Sequence, residues 1–235
     1  MPEAVAAMNI GGFQKVSLID YPGRISAVIF TQGCNFRCPF CHNPELVDSA
    51  RFGPTLSEAE IFAFLEKRRG TLDGVSITGG EPTLQPDLAA CATRLKGMGF
   101  LVKIDTNGSR PEVLRDLIDR RLIDAVAMDV KGSLKKYDRL TGVRNSGRTV
   151  EESIRVILAS GLTHEFRTTV VPSLLTERDF LEIGRLVEGA ASFVVQTYVR
   201  TKQLDPAVPP PGAEPPDLNK CAARVAPHVS RVRIR

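Results

Sequence analysis

The stretch "ISAVIFTQGCNFRCPFCHNPE" (25–45) joins a short apolar, β-branched run to a loop that carries three cysteines. The run predicts a buried β-strand, and the cysteines follow it with the spacing C-x3-C-x2-C at Cys34, Cys38 and Cys41. Structural zinc sites usually take four protein ligands, whereas three cysteines on one small loop suit a cubane iron–sulfur cluster with one iron left open. The stretch therefore predicts an iron–sulfur centre to which an outside ligand can bind.

The remaining cysteines and one histidine offer alternatives. His42 is the rival fourth ligand, but it adjoins Cys41, so bending back to the same metal would be awkward. Cys91 lies in a helical pattern and Cys221 near the end of the chain, and both are predicted to be packed thiols. Zinc binding and simple packing of the three clustered cysteines are the less favoured interpretations. Five cysteines, three of them on one loop, are not typical of a secreted disulfide framework and indicate a reducing cytoplasm.

Outward from the cysteine loop, short apolar runs alternate with longer amphipathic stretches. The predicted strands are 25–30, 74–78, 100–105, 124–129, 165–171 and 192–199, and the predicted helices are 57–69, 86–98, 111–121, 149–161 and 176–188. This alternation is typical of an α/β protein with parallel strands joined by right-handed crossovers. Capping boxes are predicted where Ser57 precedes Glu60 and where Thr149 precedes Glu152.

Six strands are too few for the closed eight-stranded barrel, so the pattern predicts a partial (β/α)6 TIM-like barrel, open on one side. We expect a single domain over 1–235, with a core of about 24–200 and a C-terminal extension over 201–235. The extension contains the proline-rich segment "KQLDPAVPPPGAEPPDL" (202–218), which cannot form a helix or a central strand. We expect a surface linker here that leads to a last helix at about 217–226; a loop that meets a partner or covers the site is the alternative.

Composition narrows the classes of function. The 43% hydrophobic and 25% charged residues are those of an ordinary soluble globular protein. The net charge of +4 is scattered rather than massed, so nucleic acid is not an expected partner, and the locally basic end "SRVRIR" is interpreted as solvated surface. No apolar run reaches the length of a membrane span, and the first fifteen residues lack the order of a secretory signal. We therefore expect a cytoplasmic protein with no membrane partner.

Polar motifs recur where predicted strands end, in "ITGGEP" (77–82), "KIDTNG" (103–108), "AMDVKG" (127–132) and "EFRTTVVP" (165–172). Parallel barrels carry their chemistry at the carboxyl ends of the strands. Gly79 and Gly80 allow close approach of the backbone to a ligand, and Glu81 offers an acceptor for an ammonium group. Arg167 suits recognition of a planar carboxylate; the alternative is an ion pair with Glu165 or another surface acid.

The cysteine spacing, with Phe40 before the last cysteine, resembles the signature of the radical S-adenosylmethionine (SAM) superfamily. That resemblance implies a [4Fe-4S] cluster on Cys34, Cys38 and Cys41, with SAM chelating the open iron through its amino and carboxylate groups. An electron from the reduced cluster then breaks a sulfur–carbon bond, which yields methionine and a 5′-deoxyadenosyl radical. The cofactor carries this chemistry and the protein positions it.

The strand-end motifs resemble those that hold SAM in glycyl-radical activating enzymes. The resemblance implies that the Gly-Gly-Glu turn holds the SAM amino group and that Lys131 contacts SAM. It further implies that Arg167 meets the SAM carboxylate, with Thr169 in contact through its backbone. A monovalent cation near Asp105 and Asp129, held also by Thr106, is implied beside that carboxylate. The implied cofactor-binding residues are Gly79, Gly80, Glu81, Asp105, Thr106, Asp129, Lys131, Arg167 and Thr169.

Three longer segments resemble the activating proteins of anaerobic ribonucleoside-triphosphate reductases, over roughly residues 9–200. They are "IGGFQKVSLIDYPGRISAVIFTQGCNFRCPFCHNPELV" (10–47), "MDVKGSLKKYDRLTG" (128–142) and "FRTTVVPSLLTERD" (166–179). The resemblance implies abstraction of an α-hydrogen from one glycine of that reductase, with an electron donor such as flavodoxin or ferredoxin. A wide opening would admit the glycine loop, and "SLIDYPG" (17–23) and 202–216 are its candidate walls.

Three alternatives stay open for the function. One is a radical SAM enzyme on a small molecule, such as a deazaguanine-forming ring-contraction enzyme, which a tight pocket closed without a partner would favour. Another is activation of a different glycyl-radical enzyme. The third is a non-catalytic iron–sulfur electron carrier, which would need neither the Gly-Gly-Glu turn nor Lys131 and Arg167.

Overall fold

The structure is a computed structural model that describes residues 8–235. Residues 1–7, which hold part of the segment judged for a secretory signal, lie outside the described residues. Within 8–235 the strands are β1 (Ile10–Ser17), β2 (Ser26–Thr31), β3 (Gly74–Gly79), β4 (Leu101–Thr106), β5 (Ala125–Asp129), β6 (Thr163–Val170), β7 (Phe193–Thr197) and β8 (Val232–Ile234). The α-helices are α1 (Pro44–Val47), α2 (Glu58–Glu66), α3 (Leu88–Gly97), α4 (Pro111–Asp119), α5 (Tyr137–Thr141), α6 (Ser146–Ala159), α7 (Glu177–Leu186) and α8 (Leu218–Val225).

The strands form one sheet in which their order follows the chain from β1 to β8. Strands β2, β3 and β4 are parallel, as are β6, β7 and β8, while β1 pairs antiparallel with β2. The six predicted strands correspond to β2–β7, and the five predicted helices and the expected last helix correspond to α2, α3, α4, α6, α7 and α8. The strands that the sequence did not predict are β1, whose "IGGF" start lacks a strand signal, and β8, which spans three residues of the basic end.

Contacts between residues divide the chain into two compact units. The first unit comprises residues up to Cys34, Glu45–Thr106 and Glu112–Val126. The second comprises Asn35–Pro44, Asn107–Pro111 and Ala127–Arg235. The single domain expected over 1–235 stays a prediction.

The first unit has its core where β2, β3 and β4 pack against helices. Consecutive residues of β2 are buried, including Ala27, Val28 and Ile29, as expected for a parallel strand that is covered on its two faces. Helix α2 begins after Ser57, whose hydroxyl accepts a hydrogen bond from the Glu60 amide at 3.3 Å, so the Ser57 half of the predicted capping box is confirmed.

The second unit is built on β6–β8 with α7 and α8. Helix α7 begins with a capping box formed by Thr176 and Asp179. The Thr176 amide and hydroxyl both donate to the Asp179 carboxylate. The capping box predicted at Thr149 is wrong, because α6 begins at Ser146 and the Thr149 hydroxyl donates to the Ser146 carbonyl within the helix.

The segment 17–23 lies far from the cysteine loop along β2. It belongs to the turn that enters β2 at Ser26, whereas the cysteines follow the other end of the strand at Thr31. Six strand residues separate the two ends by about 17 Å. The turn leaves Leu18 and Ile19 exposed at the amino end of β2. The prediction that it walls an opening near the cysteines is therefore wrong.

None of the helices within residues 8–235 combines the length and the apolar character needed to cross a membrane.

Candidate functional site

The Gly-Gly-Glu turn at the end of β3 packs against the chain that enters the cysteine loop. The Gly80 amide donates to the Thr31 carbonyl, and the Glu81 amide donates to the Gly33 carbonyl, both at 2.8 Å. Gly33 directly precedes Cys34. The first unit therefore holds Glu81 and the start of the cysteine loop at the same end of the sheet.

The two glycines are required by backbone contacts within the protein. A Cβ atom on Gly80 would lie 2.1 Å from the Gly33 carbonyl oxygen, and one on Gly79 would lie 2.4 Å from the Thr31 nitrogen. Gly79 also has a φ of +112°, which side chains rarely tolerate. The sequence predicted that these glycines let the backbone come close to a ligand. In the structure they let the turn come close to the backbone at the end of β2.

The Glu81 carboxylate is fully buried and held in one orientation. Its Oε1 accepts hydrogen bonds from the Thr83 amide at 3.1 Å and from the Thr106 hydroxyl at 2.8 Å. Thr83 also donates through its hydroxyl. A carboxylate out of water needs such donors and favours a cationic partner. The structure thus brings together two predicted site residues, Glu81 and Thr106, and the Glu81 carboxylate is an acceptor that suits an ammonium ligand.

Asp105 forms an ion pair with Lys103, a residue that the sequence interpretation gave no role. The two residues lie two positions apart on β4, so their side chains leave the same face of the strand. The Lys103 side chain is 3% exposed and that of Asp105 is 11% exposed. The signal that could have found this pair is a lysine inside an otherwise apolar strand, two positions before an aspartate.

In the second unit, Asp129 lies between two basic side chains. Its Oδ1 accepts from Arg167 Nε and its Oδ2 accepts from Lys131 Nζ, each at 2.9 Å. Burial alone would raise the pKa of Asp129, but Arg167 and Lys131 outweigh it and hold that pKa well below its usual range. Burial would lower the pKa of Lys131, but Asp129 and then Cys38 raise it above its usual value. The alternative partner considered for Arg167, Glu165, lies 2.6 Å from Arg233 of β8.

Tyr137 fixes the backbone on which this ion cluster is built. It is fully buried, and its hydroxyl accepts from the Lys131 amide at 3.1 Å and donates to the Asp129 carbonyl at 3.4 Å. Thr169 lies two residues beyond Arg167 on β6, in register with Gln196 of β7, and its carbonyl accepts from the Val171 amide at 3.0 Å. The expected backbone contact of Thr169 with SAM stays a prediction.

Within the second unit, the part of the cysteine loop beyond Cys34 is held on one side by Asn35 and Arg37. The Asn35 side-chain oxygen accepts from the Asn107 amide group at 3.1 Å and from the Ser109 hydroxyl at 3.2 Å. The Arg37 amide donates to the Thr141 carbonyl at the end of α5 at 2.7 Å. The motif "DTNG" thus contributes its Asn107 to loop geometry, a role that the sequence interpretation missed.

On its other side the loop is tied to the segment that follows β7. The Asp205 amide donates to the Pro39 carbonyl at 2.9 Å. The His42 ring stacks on Tyr198, with centroids 5.2 Å apart, and its Nε2 donates to the Val199 carbonyl at 3.0 Å. His42 therefore helps to hold the loop in place. Asp205 belongs to the segment that we expected to be a surface linker, yet it contacts the cysteine loop.

None of the five cysteines forms a disulfide bond. Within residues 8–235 no group of three or more Cys, His, Asp or Glu side chains converges where it could hold one metal ion; in a cubane cluster each cysteine binds a different iron atom. The Cys41 amide donates to the Cys38 carbonyl at 3.0 Å. Burial raises the pKa of Cys91 to about 12 and that of Cys221 to about 11, which is typical of inert packed thiols.

Comparison with known proteins finds relatives of which three cover between 73% and 80% of the chain. The chain is 39% identical over 194 residues to a Methanocaldococcus jannaschii protein named provisionally as a glycyl-radical enzyme activating enzyme, covering 80% of this chain and 79% of that protein. It is 30% identical to the pyruvate formate-lyase-activating enzyme of Clostridium pasteurianum, over 73% of this chain and 72% of that one. It is 29% identical to the 7-carboxy-7-deazaguanine synthase of Thermococcus kodakarensis, over 74% of each.

Among solved structures, Streptococcus suis SuiB bound to S-adenosylmethionine matches with a TM-score of 0.59 and 18% identity, over 74% of this chain and 41% of that one. This chain therefore spans less than half the length of that structure, and the likeness concerns the fold, which is the expected α/β partial-barrel class. The family model of the radical SAM superfamily matches residues 28–187, more than half of the chain. The chain belongs to the radical SAM superfamily and is an enzyme of the glycyl-radical activating kind.

Proposed function

We propose that this enzyme reductively cleaves SAM at a [4Fe-4S] cluster held by Cys34, Cys38 and Cys41, and removes an α-hydrogen from a glycine of an anaerobic ribonucleotide reductase. The products are methionine, 5′-deoxyadenosine and a glycyl radical stored on the reductase. When bound, the cluster and SAM supply the electron transfer and the hydrogen-abstracting species. The observation that most supports this proposal is the hydrogen bond from the Glu81 amide to the Gly33 carbonyl, because it joins the turn expected to bind SAM to the start of the cysteine loop.

The chain's own residues would bind and orient SAM. Glu81 is buried and held by hydroxyl and amide donors, so it can receive the SAM ammonium without rearranging. Lys131 and Arg167 would keep their hydrogen bonds to Asp129 and would also donate to the SAM carboxylate, an anion that suits charge-assisted hydrogen bonds. Gly79 and Gly80 keep the turn against β2, and Thr169 would contribute a backbone contact. The monovalent cation implied for Asp105 and Asp129 would meet carboxylates that already lie against basic side chains, so the proposed function does not include it.

The surroundings of Cys38 support a thiolate ligand. Thiolates rather than thiols bind metals, and nearby ammonium groups favour the thiolate. Lys131 is close enough to Cys38 for the two charges to interact. The loop anchors at Asn35, Arg37 and Pro39 hold the intervening backbone in place, which limits the reorganisation that cluster binding requires.

A protein substrate is supported by the relative that is 39% identical to this chain, whose name refers to activation of a glycyl-radical enzyme and of which the chain covers 79%. The anaerobic reductase is favoured over other glycyl-radical enzymes because residues 10–47 resemble the activating proteins of such reductases. A flavodoxin or ferredoxin would deliver the electron, in a reducing cytoplasm where an exposed cluster can persist. The 7-carboxy-7-deazaguanine synthase relative keeps a small-molecule substrate as the second candidate.

The test is anaerobic reconstitution followed by electron paramagnetic resonance. We expect about four irons per chain, SAM-dependent formation of 5′-deoxyadenosine with dithionite, and a glycyl-radical signal when an anaerobic ribonucleotide reductase is added. A glycyl-radical signal with pyruvate formate-lyase and none with the reductase would show that the enzyme activates a different glycyl-radical enzyme. Turnover of a deazaguanine precursor without any protein partner would contradict activation altogether.

Cysteine variants supply the matched controls. Cys38→Ala should lose the cluster signal and SAM cleavage, because it removes a proposed ligand. Cys91→Ala and Cys221→Ala should keep both, because these buried thiols pack inside the protein. Full SAM cleavage by Cys38→Ala would end the assignment of that ligand.

A further inference from the structure

The carboxylate of Asp105, which the resemblance assigns to a monovalent cation, lies against a buried basic side chain of the same strand. Lys103 and Asp105 form an ion pair on one face of β4, and the lysine side chain is 3% exposed. Removing an ammonium from water is costly unless it meets an opposite charge and hydrogen-bond acceptors. The ion pair with Asp105 therefore offsets part of the cost of burying the Lys103 ammonium.

The second carboxylate of the implied cation site is matched in the same way. Both oxygens of Asp129 accept hydrogen bonds from cationic groups, Oδ1 from Arg167 and Oδ2 from Lys131. Each of the two carboxylates thus has a basic side chain within hydrogen-bond distance before any ion is added. A further cation at either one would meet like charge at close range, so these residues do not fit it.

Resting on the proposed function, we propose that this enzyme binds and cleaves SAM without a monovalent cation, because the Lys103 ammonium supplies at Asp105 the positive charge that such an ion would bring. An ammonium is a compact single charge with three donors. It is tethered to β4, so its local concentration does not depend on the salt in solution. Lys103 is a positioning residue, which acts on SAM through the charge balance of Asp105.

The first experiment uses wild-type holoenzyme in solutions of matched ionic strength that contain tetramethylammonium, sodium or potassium. SAM affinity is measured by equilibrium dialysis, and partner-free SAM cleavage is measured with dithionite. We expect less than about a twofold difference between the salts, whereas an ion that binds together with SAM would tighten SAM by about fivefold or more. Stimulation of that size by potassium or sodium would overturn the proposal.

The second experiment removes the tethered charge. In Lys103→Met the side chain keeps its length, and SAM affinity should fall in tetramethylammonium and recover in potassium or sodium, because an ion can now sit beside Asp105. Lys96→Met is the matched control: Lys96 also pairs with an aspartate, Asp124, at 2.6 Å in the same unit, and its loss should introduce no salt dependence. A Lys103→Met enzyme that binds SAM normally in every salt would contradict the proposal.

If Lys103→Met does not fold, the wild-type comparison still decides, and Lys103→Met with Asp105→Asn removes both charges together. That double variant should be independent of the salt. A wild-type enzyme that fails to bind SAM in any salt contradicts the proposed function itself, whereas a salt-dependent wild type contradicts only the role of Lys103.

Discussion

At the scale of single residues, Gly80 is confined by backbone atoms that cannot move aside independently. A Cβ atom there would lie 2.1 Å from the Gly33 carbonyl oxygen and 2.9 Å from that of Leu46. We expect Gly80→Ala to lower the free energy of unfolding by about 1–3 kcal/mol, the usual cost of overpacking. It should also weaken SAM binding, because the Gly-Gly-Glu turn must shift away from the cysteine loop. Urea unfolding and equilibrium dialysis measure the two effects.

Gly97 is the control for Gly80. It lies at the end of α3 with nothing within 4 Å of its added Cβ. Gly97→Ala should leave SAM binding unchanged and raise the free energy of unfolding by about 0.5–1 kcal/mol, because alanine favours the helix. Equal effects of the two substitutions would show that the contact with Gly33 is not what requires glycine at Gly80.

The sequence identified charged residues better than it identified their partners. Asp129, Lys131 and Arg167 were all predicted as site residues, and they lie in one hydrogen-bonded cluster. The ion pair of Lys103 was missed because it depends on sharing a strand face with Asp105, which a motif comparison does not weigh. Arg233 was interpreted as solvated surface, yet it pairs with Glu165 because β8 adds to the sheet there.

At the scale of elements, the cysteine loop has no regular secondary structure from Asn35 to Cys38 and depends on its neighbours for shape. The contacts of His42 can be removed in steps. His42→Phe keeps a ring on Tyr198 but loses the hydrogen bond to Val199, and His42→Ala loses both. Each contact is worth about 0.5–1.5 kcal/mol. We expect the cluster to be lost to a chelator faster in His42→Phe than in wild type, and fastest in His42→Ala. The visible absorbance of the cluster measures these rates.

His164 offers the comparison for His42. Its ring contacts Phe166 and its Nδ1 donates to the Leu162 carbonyl at the amino end of β6, so it makes the same kinds of contact at the other end of a strand. His164→Phe should lose its cluster at the wild-type rate. Cluster loss that is unchanged in His42→Ala would show that the Asn35, Arg37 and Pro39 anchors suffice.

Helices and strands could be predicted where the sequence has a regular hydrophobic period. Those that depend on contacts between distant residues could not. The six apolar strands and the long amphipathic helices agree with β2–β7 and their helices within a few residues. Helix α5, of five residues, is too short for a periodic signal, yet its end carries the Thr141 carbonyl that holds Arg37. The contact of Asp205 with Pro39 joins residues far apart in the chain, so composition alone suggested a linker.

At the scale of the whole molecule, stability in acid depends on buried carboxylates whose pKa is lowered by their partners. Burial would raise the pKa of Asp179, but hydrogen bonds from Lys136 and Thr176 lower it below the ordinary 3.8. Asp129 shifts in the same direction. A carboxyl with a lowered folded-state pKa stabilises the protein above its ordinary pKa, and that stability is lost as the pH falls toward the folded-state value. We therefore expect the free energy of unfolding to fall below about pH 4.

Asp179→Asn isolates one such contribution. The variant removes the charge that pairs with Lys136, at 2.7 Å, and keeps one of the two acceptor oxygens that serve Ser133 and Thr176, so it should be less stable than wild type at pH 7 by about 1–3 kcal/mol. The difference from wild type should shrink as the pH falls from 3.8 toward the lower folded-state pKa of Asp179, because the unfolded wild-type chain then takes up a proton that the folded chain does not. Asp116→Asn removes an exposed pair with Arg120 and should leave the acid dependence of unfolding as in wild type. Urea unfolding from pH 7 to pH 3, followed by circular dichroism, measures all three proteins. A difference between Asp179→Asn and wild type that stays constant over this range would mean that Asp179 stabilises α7 through its shape and hydrogen bonds as a neutral group, and not through its charge.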